Sequence, residues 1–280
     1  MNNNPIIDRF IDEALAGKAP NTAKAYRHSL EKFAEYLDGS GADLTTFARS
    51  DVQFYVQRLE TVEKRKASGV NRELAAIKAF CRWAGNDSAV RDIRVIKAAK
   101  PTSKAPEWLD RASRNRIIRE TDRKRNRRDH AIVMTLLGCG LRVSELVALD
   151  RDDISMSDRK GTVHVRNGKG GKERYVPIPA DTRRAIKQYL AQRTDDKPAL
   201  FLSQLGKRIS ERTVQDMLAK YGVHPHQLRH TYVKTLVDSG VPTATIMSLT
   251  GHSSADMVAW YSQPSDDEKA QAVENLFAGN

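Results

Sequence analysis

The sequence predicts a mostly α-helical protein with a small β-sheet, divided into a helical domain and a mixed α/β domain. Three observations lead there. Apolar residues recur at helical spacing through the first third of the chain. Two short stretches, Thr162 to Arg166 and Tyr175 to Ile178, break that rhythm and flank a glycine-rich turn, as the arms of a β-hairpin do. Between the two regions lies AAKPTSKAP, residues 98–106, whose small residues, two prolines and two lysines suit a linker. The expected boundaries are a helical domain at 1–97, the basic linker at 98–106 and a second domain at 107–280. A chain of 280 residues suits two domains, and 40% hydrophobic residues are enough to build real cores.

Taken in order, an opening helix covers Ile6 to Leu15. Asn21-Thr22 after Pro20 suits the start of the next helix. Tyr26, Leu30, Phe33 and Leu37 then lie on one face, and Gly39-Ser40-Gly41 ends it. Ser50 and Asp51 can cap a helix carrying Val52, Tyr55, Val56 and Leu59. Val70, Leu74, Ile77, Phe80 and Cys81 repeat the pattern up to Gly85. In the second region Asp129 is a candidate cap for an apolar helix, His130 to Leu137, ending at Gly138-Cys139-Gly140. Ser144 to Leu149 adds a turn or two. After the hairpin, helices are expected at Asp181–Gln192, Glu211–Tyr221, His226–Asp238, Thr243–Leu249, Ser254–Ser262 and Asp266–Phe277.

Charge narrows the partners. The chain carries 47 Lys+Arg against 35 Asp+Glu, a formal +12, and Arg91 to Arg128 alone holds 14 basic and 5 acidic residues, a net +9. Such concentration favours a polyanion, nucleic acid before a membrane surface. There is no apolar run of about 18 residues to cross a membrane and no signal-peptide pattern in MNNNPIIDRF. Cys81 and Cys139 read as buried thiols of a cytoplasmic protein.

The hairpin turn, GKGGKERYVPI from Gly168 to Ile178, invites comparison with a nucleotide-binding loop. It fails: Gly171-Lys172 is followed by Glu173 where that loop needs a hydroxyl, and a strand follows where a helix should. A solvated basic turn is the plainer reading of this stretch alone. Elsewhere, polar residues stand in apolar surroundings. Arg142 follows a glycine turn in GCGLRVSELVAL, with Glu145 one helical turn on as a salt-bridge partner. His226 and Arg229 in HPHQLRHT share a helix face, with His230 expected on another. His224, His226 and His230 lack the cysteine, carboxylate or HExxH context of a zinc site, so no metal is expected. His252 lies in LTGHSS, and Tyr261 comes nine residues later.

In this order, GLRVSEL, GKGGKER, HQLRHT, LTGHS and a tyrosine nine residues after the last histidine closely resemble the tyrosine recombinases, the phage-integrase family. NTAKAYRHSLEKFAEYL and VNRELAAIKAFCRWA resemble that family's helical core-binding domain, so the likeness spans nearly the whole chain. It implies a two-domain clamp on DNA. Tyr261 would attack a phosphodiester and form a 3′-phosphotyrosine, with Arg142, Arg229 and His252 holding the phosphate. His226 would be the acid–base partner of Tyr261, and Lys169 the acid for the leaving 5′-oxygen. Glu145 would support the site. Lys97, Lys100, Lys104, Arg127, Arg128 and Lys172 would contact DNA, while Arg174 reads either as a DNA contact or as part of the fold. His230 reads as structural, Tyr232 as core and Trp260 as packing. Cys139 stands where the family more often has threonine.

The likeness further implies that neither cofactor nor metal is needed. The partners would be double-stranded DNA with paired inverted core sites, other copies of the chain in a tetramer, and accessory proteins. A C-terminal helix near 266–277 would dock on a neighbouring protomer. The chain begins directly with the core-binding domain, with no arm-binding domain expected. A regulator that only binds DNA, or a type IB topoisomerase, is the alternative.

Overall fold

The structure is a computed structural model that describes residues 4–97, 106–123, 126–166, 173–263, 270 and 273–274. The chain separates into two compact units, Met1–Lys100 and Pro101–Asn280.

The first unit is helical. Helix α1 (Pro5–Ala14) starts where the Asn4 side chain accepts from the Ile6 N–H, with proline at its first position. Helix α2 (Pro20–Asp38) likewise opens on proline. Helix α3 (Arg49–Thr61) begins a residue earlier than Ser50. Asp51 serves it from inside, reaching back to the Ala48 N–H at 2.7 Å. Helix α4 (Ala67–Ala84) stops at Gly85, which takes the left-handed conformation at φ 72°. The buried faces follow the sequence pattern: Leu30, Phe33 and Leu37 of α2 meet Val52, Tyr55 and Leu59 of α3 and Leu74, Ile77 and Phe80 of α4. Phe33 and Phe47 pack edge to face, with centroids 5.2 Å apart.

The second unit is built around α6 (Arg127–Cys139), whose Ala131, Ile132, Val133 and Leu136 are fully buried. Its cap is Asn126, not Asp129. The Asn126 side chain accepts from the Asp129 N–H, so the helix begins three residues before His130. Ahead of it stands α5 (Arg111–Arg123), which the apolar pattern did not announce because it buries only Ile117 and Thr121. Helix α7 (Val143–Ala148) follows the Gly140 turn.

The hairpin strands are β2 (Gly161–Val165) and β3 (Arg174–Pro177), antiparallel, with Val163 opposite Val176 and Val165 opposite Arg174. A three-residue strand β1 (Ile154–Met156), too short to show alternation, adds the third edge in the order β1-β2-β3. Helices α8 (Ala180–Leu190), α9 (Glu211–Ala219), α10 (Pro225–Asp238) and α11 (Thr243–Thr250) complete the unit. The single helix expected over Ser254–Ser262 is instead α12 (Ala255–Ala259) followed by a 3₁₀ turn, Trp260–Ser262. The C-terminal helix expected near 266–277 lies mostly outside the described residues. Within it Ala270, Val273 and Glu274 are helical and exposed.

Candidate active site

Helix α11 ends at Gly251, in the left-handed conformation at φ 68°. Its last carbonyls have no partner within the helix and carry the negative end of the helix dipole. Three arginines take them in succession. Arg174 Nε donates to the Leu249 carbonyl at 2.9 Å, Arg229 Nη2 to Thr250 at 2.6 Å and Arg142 Nη2 to Gly251 at 3.2 Å. The C-terminus of one helix thus gathers three cations that are far apart in sequence. Arg229 also donates to the Gly140 carbonyl. Gly140 must be glycine: it is left-handed at φ 60°, and a Cβ would sit 2.1 Å from the Tyr232 ring.

One carboxylate answers the three guanidiniums. Glu145 is buried and accepts four hydrogen bonds, from the Arg142 N–H at 2.8 Å and Nη1 at 2.7 Å, and from Arg174 Nη1 at 3.0 Å and Nη2 at 2.8 Å. Burial pushes its pKa up, but the Arg174 hydrogen bonds and charge, with those of Arg142, outweigh it and hold the carboxyl below its ordinary value. The remaining positive charge is unbalanced. Burial, then the neighbouring Arg142, pulls Arg229 down to about 10.

His252, the residue after the turn, is buried beside Arg229, with Nε2 3.3 Å from Arg229 Nη2 and Nδ1 3.0 Å from the Thr250 hydroxyl. Burial first, then Arg229 and Arg142, lowers its pKa to about 4, so the ring is neutral. The Thr250 hydroxyl spends its hydrogen on the Ile246 carbonyl at 2.6 Å, which leaves His252 Nδ1 as the donor and Nε2 as an acceptor.

Tyr261 is 2% exposed, its ring 6.1 Å from that of His252. Burial raises the phenol to about 12 against the pull of Arg229 and Arg142. The histidine on its hydroxyl is His230, with Nδ1 2.6 Å from Oη. His226, the expected partner, is not the histidine hydrogen-bonded to that hydroxyl in this structure. His226 and His230 are four residues apart on α10, so they share a face one turn apart, their rings stacked at 6.2 Å. The 3₁₀ turn carrying Tyr261 packs on the inner of the two, and His226 is left at the exposed mouth. Its pKa is lowered by partial burial and by His224. The i, i+4 spacing was the available signal for His230.

Comparison with known proteins agrees with this arrangement. Residues 107–268 match the model of the phage integrase family, and residues 7–86 match its N-terminal SAM-like domain. The chain is a tyrosine recombinase of the phage integrase family. It is 34% identical over 285 residues to tyrosine recombinase XerA of Pyrococcus furiosus, covering 95% of this chain and 93% of that one. It is 31% identical over 278 residues to tyrosine recombinase XerC of Chromobacterium violaceum, covering 91% and 88%. Its fold resembles that of the XerH site-specific recombinase solved on palindromic difH substrate after cleavage, with TM-score 0.69 at 17% identity over 90% of this chain and 78% of that one. The mostly helical two-domain class read from the sequence is the class of this family.

Of the residues expected in the recombinase site, Arg142, Arg229, His252, Tyr261 and Glu145 are brought together, with His226 at the rim. Lys169, Lys172, Lys100 and Lys104 lie outside the described residues. Lys97 is exposed. Arg174, read either as a DNA contact or as part of the fold, is bound to Glu145 and to the Leu249 carbonyl, with its side chain 9% exposed. Arg128, expected to contact DNA, is partly buried. Its guanidinium donates to Asp129 at 2.8 and 2.9 Å and to the Leu202 carbonyl at 3.2 Å, all inside the protein. Arg127 pairs with Asp122 at 2.8 Å. Among the described residues no three His, Cys, Asp or Glu side chains converge as a metal site, and no helix is long and apolar enough to cross a membrane.

Proposed function

We propose that this recombinase exchanges strands between two duplex DNA sites through a covalent 3′-phosphotyrosine on Tyr261. The supporting observation is the imbalance of charge: three guanidiniums gathered at one helix end face one buried carboxylate, with Tyr261 close enough for its charge to bear on Arg229. An anion completes that set, and a phosphodiester is the anion a tyrosine can attack. The Tyr261 oxygen bonds to phosphorus, the bond to the 5′-oxygen breaks, and a 5′-hydroxyl from the partner strand later reverses the step. One phosphoester replaces another, so bond energy is conserved.

Phosphoryl transfer depends on positioning and charge stabilisation. Arg142 and Arg229 present planar forks to the non-bridging oxygens. The phosphate's charge raises the His252 pKa, which lets Nε2 take a proton and donate to the same oxygens. Lys169 protonates the leaving 5′-oxygen from the hairpin turn. The substrate is duplex DNA with paired inverted core sites. It is held by four protomers joined through their C-terminal helices, with Lys97, Lys100, Lys104 and Lys172 on the backbone.

The test is covalent trapping. Wild type and Tyr261→Phe are incubated with end-labelled, randomly nicked fragments of the chromosome that encodes the protein. A detergent-resistant protein–DNA band from wild type alone is expected. Salt-sensitive binding without any band from wild type would overturn the reading.

A further inference from the structure

Helix α5 carries five arginines, Arg111, Arg114, Arg116, Arg119 and Arg123, against Glu120 and Asp122. Arg116, Arg119 and Arg123 follow one another by three and four residues, which puts them on one helix face, and all three are exposed. The opposite face is the buried one. There Ile117 joins the core of the unit and the Thr121 hydroxyl meets His130 Nδ1 of α6 at 3.0 Å. Among the described residues none of the three guanidiniums makes an ion pair or a hydrogen bond. The nearby carboxylates are spent elsewhere. Asp122 pairs with Arg127 at 2.8 Å, and Asp110 accepts from the Ser113 N–H at 2.6 Å, with only the charge of Arg116 reaching it. Glu120 lies where its charge helps to raise the Tyr221 phenol, after burial. Exposed arginines elsewhere in this unit do find carboxylates, Arg184 with Asp181 and Arg212 with Asp216, both at 3.0 Å. Like charges at i, i+4, as at Arg119 and Arg123, weaken a helix, so the folding of α5 does not account for the ridge.

The ridge stands apart from the arginines of the candidate active site. The Leu109 N–H donates to the Thr231 hydroxyl at 2.8 Å, so α5 opens beside the helix that carries Arg229. From there it runs toward the far end of α6. Its Thr121 meets His130, and His130 precedes by ~15 Å of helix the Gly140 carbonyl that holds Arg229. We infer that Arg116, Arg119 and Arg123 form a second DNA-contacting surface, one that follows the duplex backbone away from the phosphate that is cut. The inference rests on duplex DNA being the substrate. The ridge spans ~10 Å, over which a duplex presents about six phosphate charges. Exposed guanidinium forks match phosphate oxygens. Such contacts read no bases, so this surface supplies affinity and orientation rather than choice of site. An acidic protein face is the other complement to a basic ridge. The chain's net +12 and its action on DNA favour the phosphate backbone.

The test replaces the ridge by glutamine, R116Q/R119Q/R123Q, and titrates a fluorescently labelled duplex of random sequence at rising salt. Three lost phosphate contacts should make the slope of log Kd against log salt shallower by about 2.7. Between about 50 and 200 mM salt, wild type should then lose about 40-fold more affinity than the variant does. R116K/R119K/R123K keeps the charges and should keep the wild-type slope. R184Q/R212Q removes two exposed arginines that already have carboxylate partners, and it should leave the slope alone. The single variant R119Q should move the slope by about 0.9, which gives an answer even where the triple variant folds poorly. Equal slopes for wild type and the glutamine variants overturn the inference. An equal change from R184Q/R212Q also overturns it, because net charge alone would then explain the effect. A glutamine variant that keeps the slope but no longer assembles with other copies on DNA, read by sedimentation, overturns it in favour of an acidic protein face. The titration needs no cleavage. Wild type that binds with the expected slope yet never forms a covalent complex would sink the phosphotyrosine reading and leave the ridge standing.

Discussion

Replacing Glu145 by glutamine removes the one negative charge among three guanidiniums and changes almost no volume. The carboxylate accepts four hydrogen bonds, two from Arg142 and two from Arg174. An amide keeps one oxygen and turns an NH₂ toward a cation, so donors on one side lose their acceptor. Breaking one partner out of a buried ion pair costs about 3–5 kcal/mol. In a unit of this size each kcal/mol lowers Tm by about 2–4 °C, so a fall of about 6–20 °C is expected. Near-ultraviolet circular dichroism follows the melt, because Trp108 and Trp260 both lie in this unit. Two controls tie the loss to charge. Sulfate binds a more positive site better, so it should restore more stability to the variant than to wild type. The pH sign also follows. Glu145 has its folded pKa held below the ordinary 4.5, so its contribution is present above that value and is lost as pH falls through the folded pKa. The gap between wild type and Glu145→Gln should therefore close in acid. A variant melting within about 2 °C of wild type at pH 7, with an equal response to sulfate, would refute the account of the site as a cation cluster held by one carboxylate.

Gly140→Ala should lower stability by about 1–2 kcal/mol for the left-handed backbone alone. The displaced Tyr232 ring adds to this, and a denaturant melt of the second unit reads it. Arg128→Ala should lower stability by about 1.5–3 kcal/mol as its hydrogen bonds to Asp129 and Leu202 are lost. The salt dependence of DNA binding, measured on the folded variant, should stay at the wild-type slope, and a slope shallower by about one would return Arg128 to the DNA surface. His252 folds neutral with its pKa at about 4 against an ordinary 6.5. Its unfolded form takes a proton first as pH falls, so stability is full above 6.5 and declines between 6.5 and 4. The loss from pH 7 to 5 should be ~1–2 kcal/mol, and His252→Gln should flatten that slope in melts across the range.

The parts of this site legible in the sequence are those where a side chain announces itself locally. Arg142 stands out because a charge follows a glycine turn in an apolar stretch, and Glu145 sits one helical turn on, where the pair does meet at 2.7 Å. The hairpin and most helices show through their periods. The cap of α6 was also available, since Asn126 precedes Asp129 by the three residues of a side-chain cap. Arg174 was harder. It lies 29 residues from Glu145, and only the antiparallel register that seats it opposite Val165 at the end of β3 brings its fork to the carboxylate. Before the sheet is known, a lysine-rich turn beside it makes a DNA contact the natural assumption.

The organising element was legible as the motif LTGHS, but its hold on the arginines is made by the main chain. Leu249, Thr250 and Gly251 serve through their carbonyls, and any helix end offers carbonyls. What singles out this one is that three arginines from three other elements reach it, which is a property of the packed unit. The same reasoning explains the histidines. Spacing places His226 and His230 on one face of α10, but which of the two meets Tyr261 depends on where the turn at Trp260–Ser262 crosses that helix. A helix face offers candidates at every turn, and the packing of a neighbouring element selects among them. The family likeness pointed to His226 and read His230 as structural, and the crossing of the two elements is what puts His230 on the Tyr261 hydroxyl.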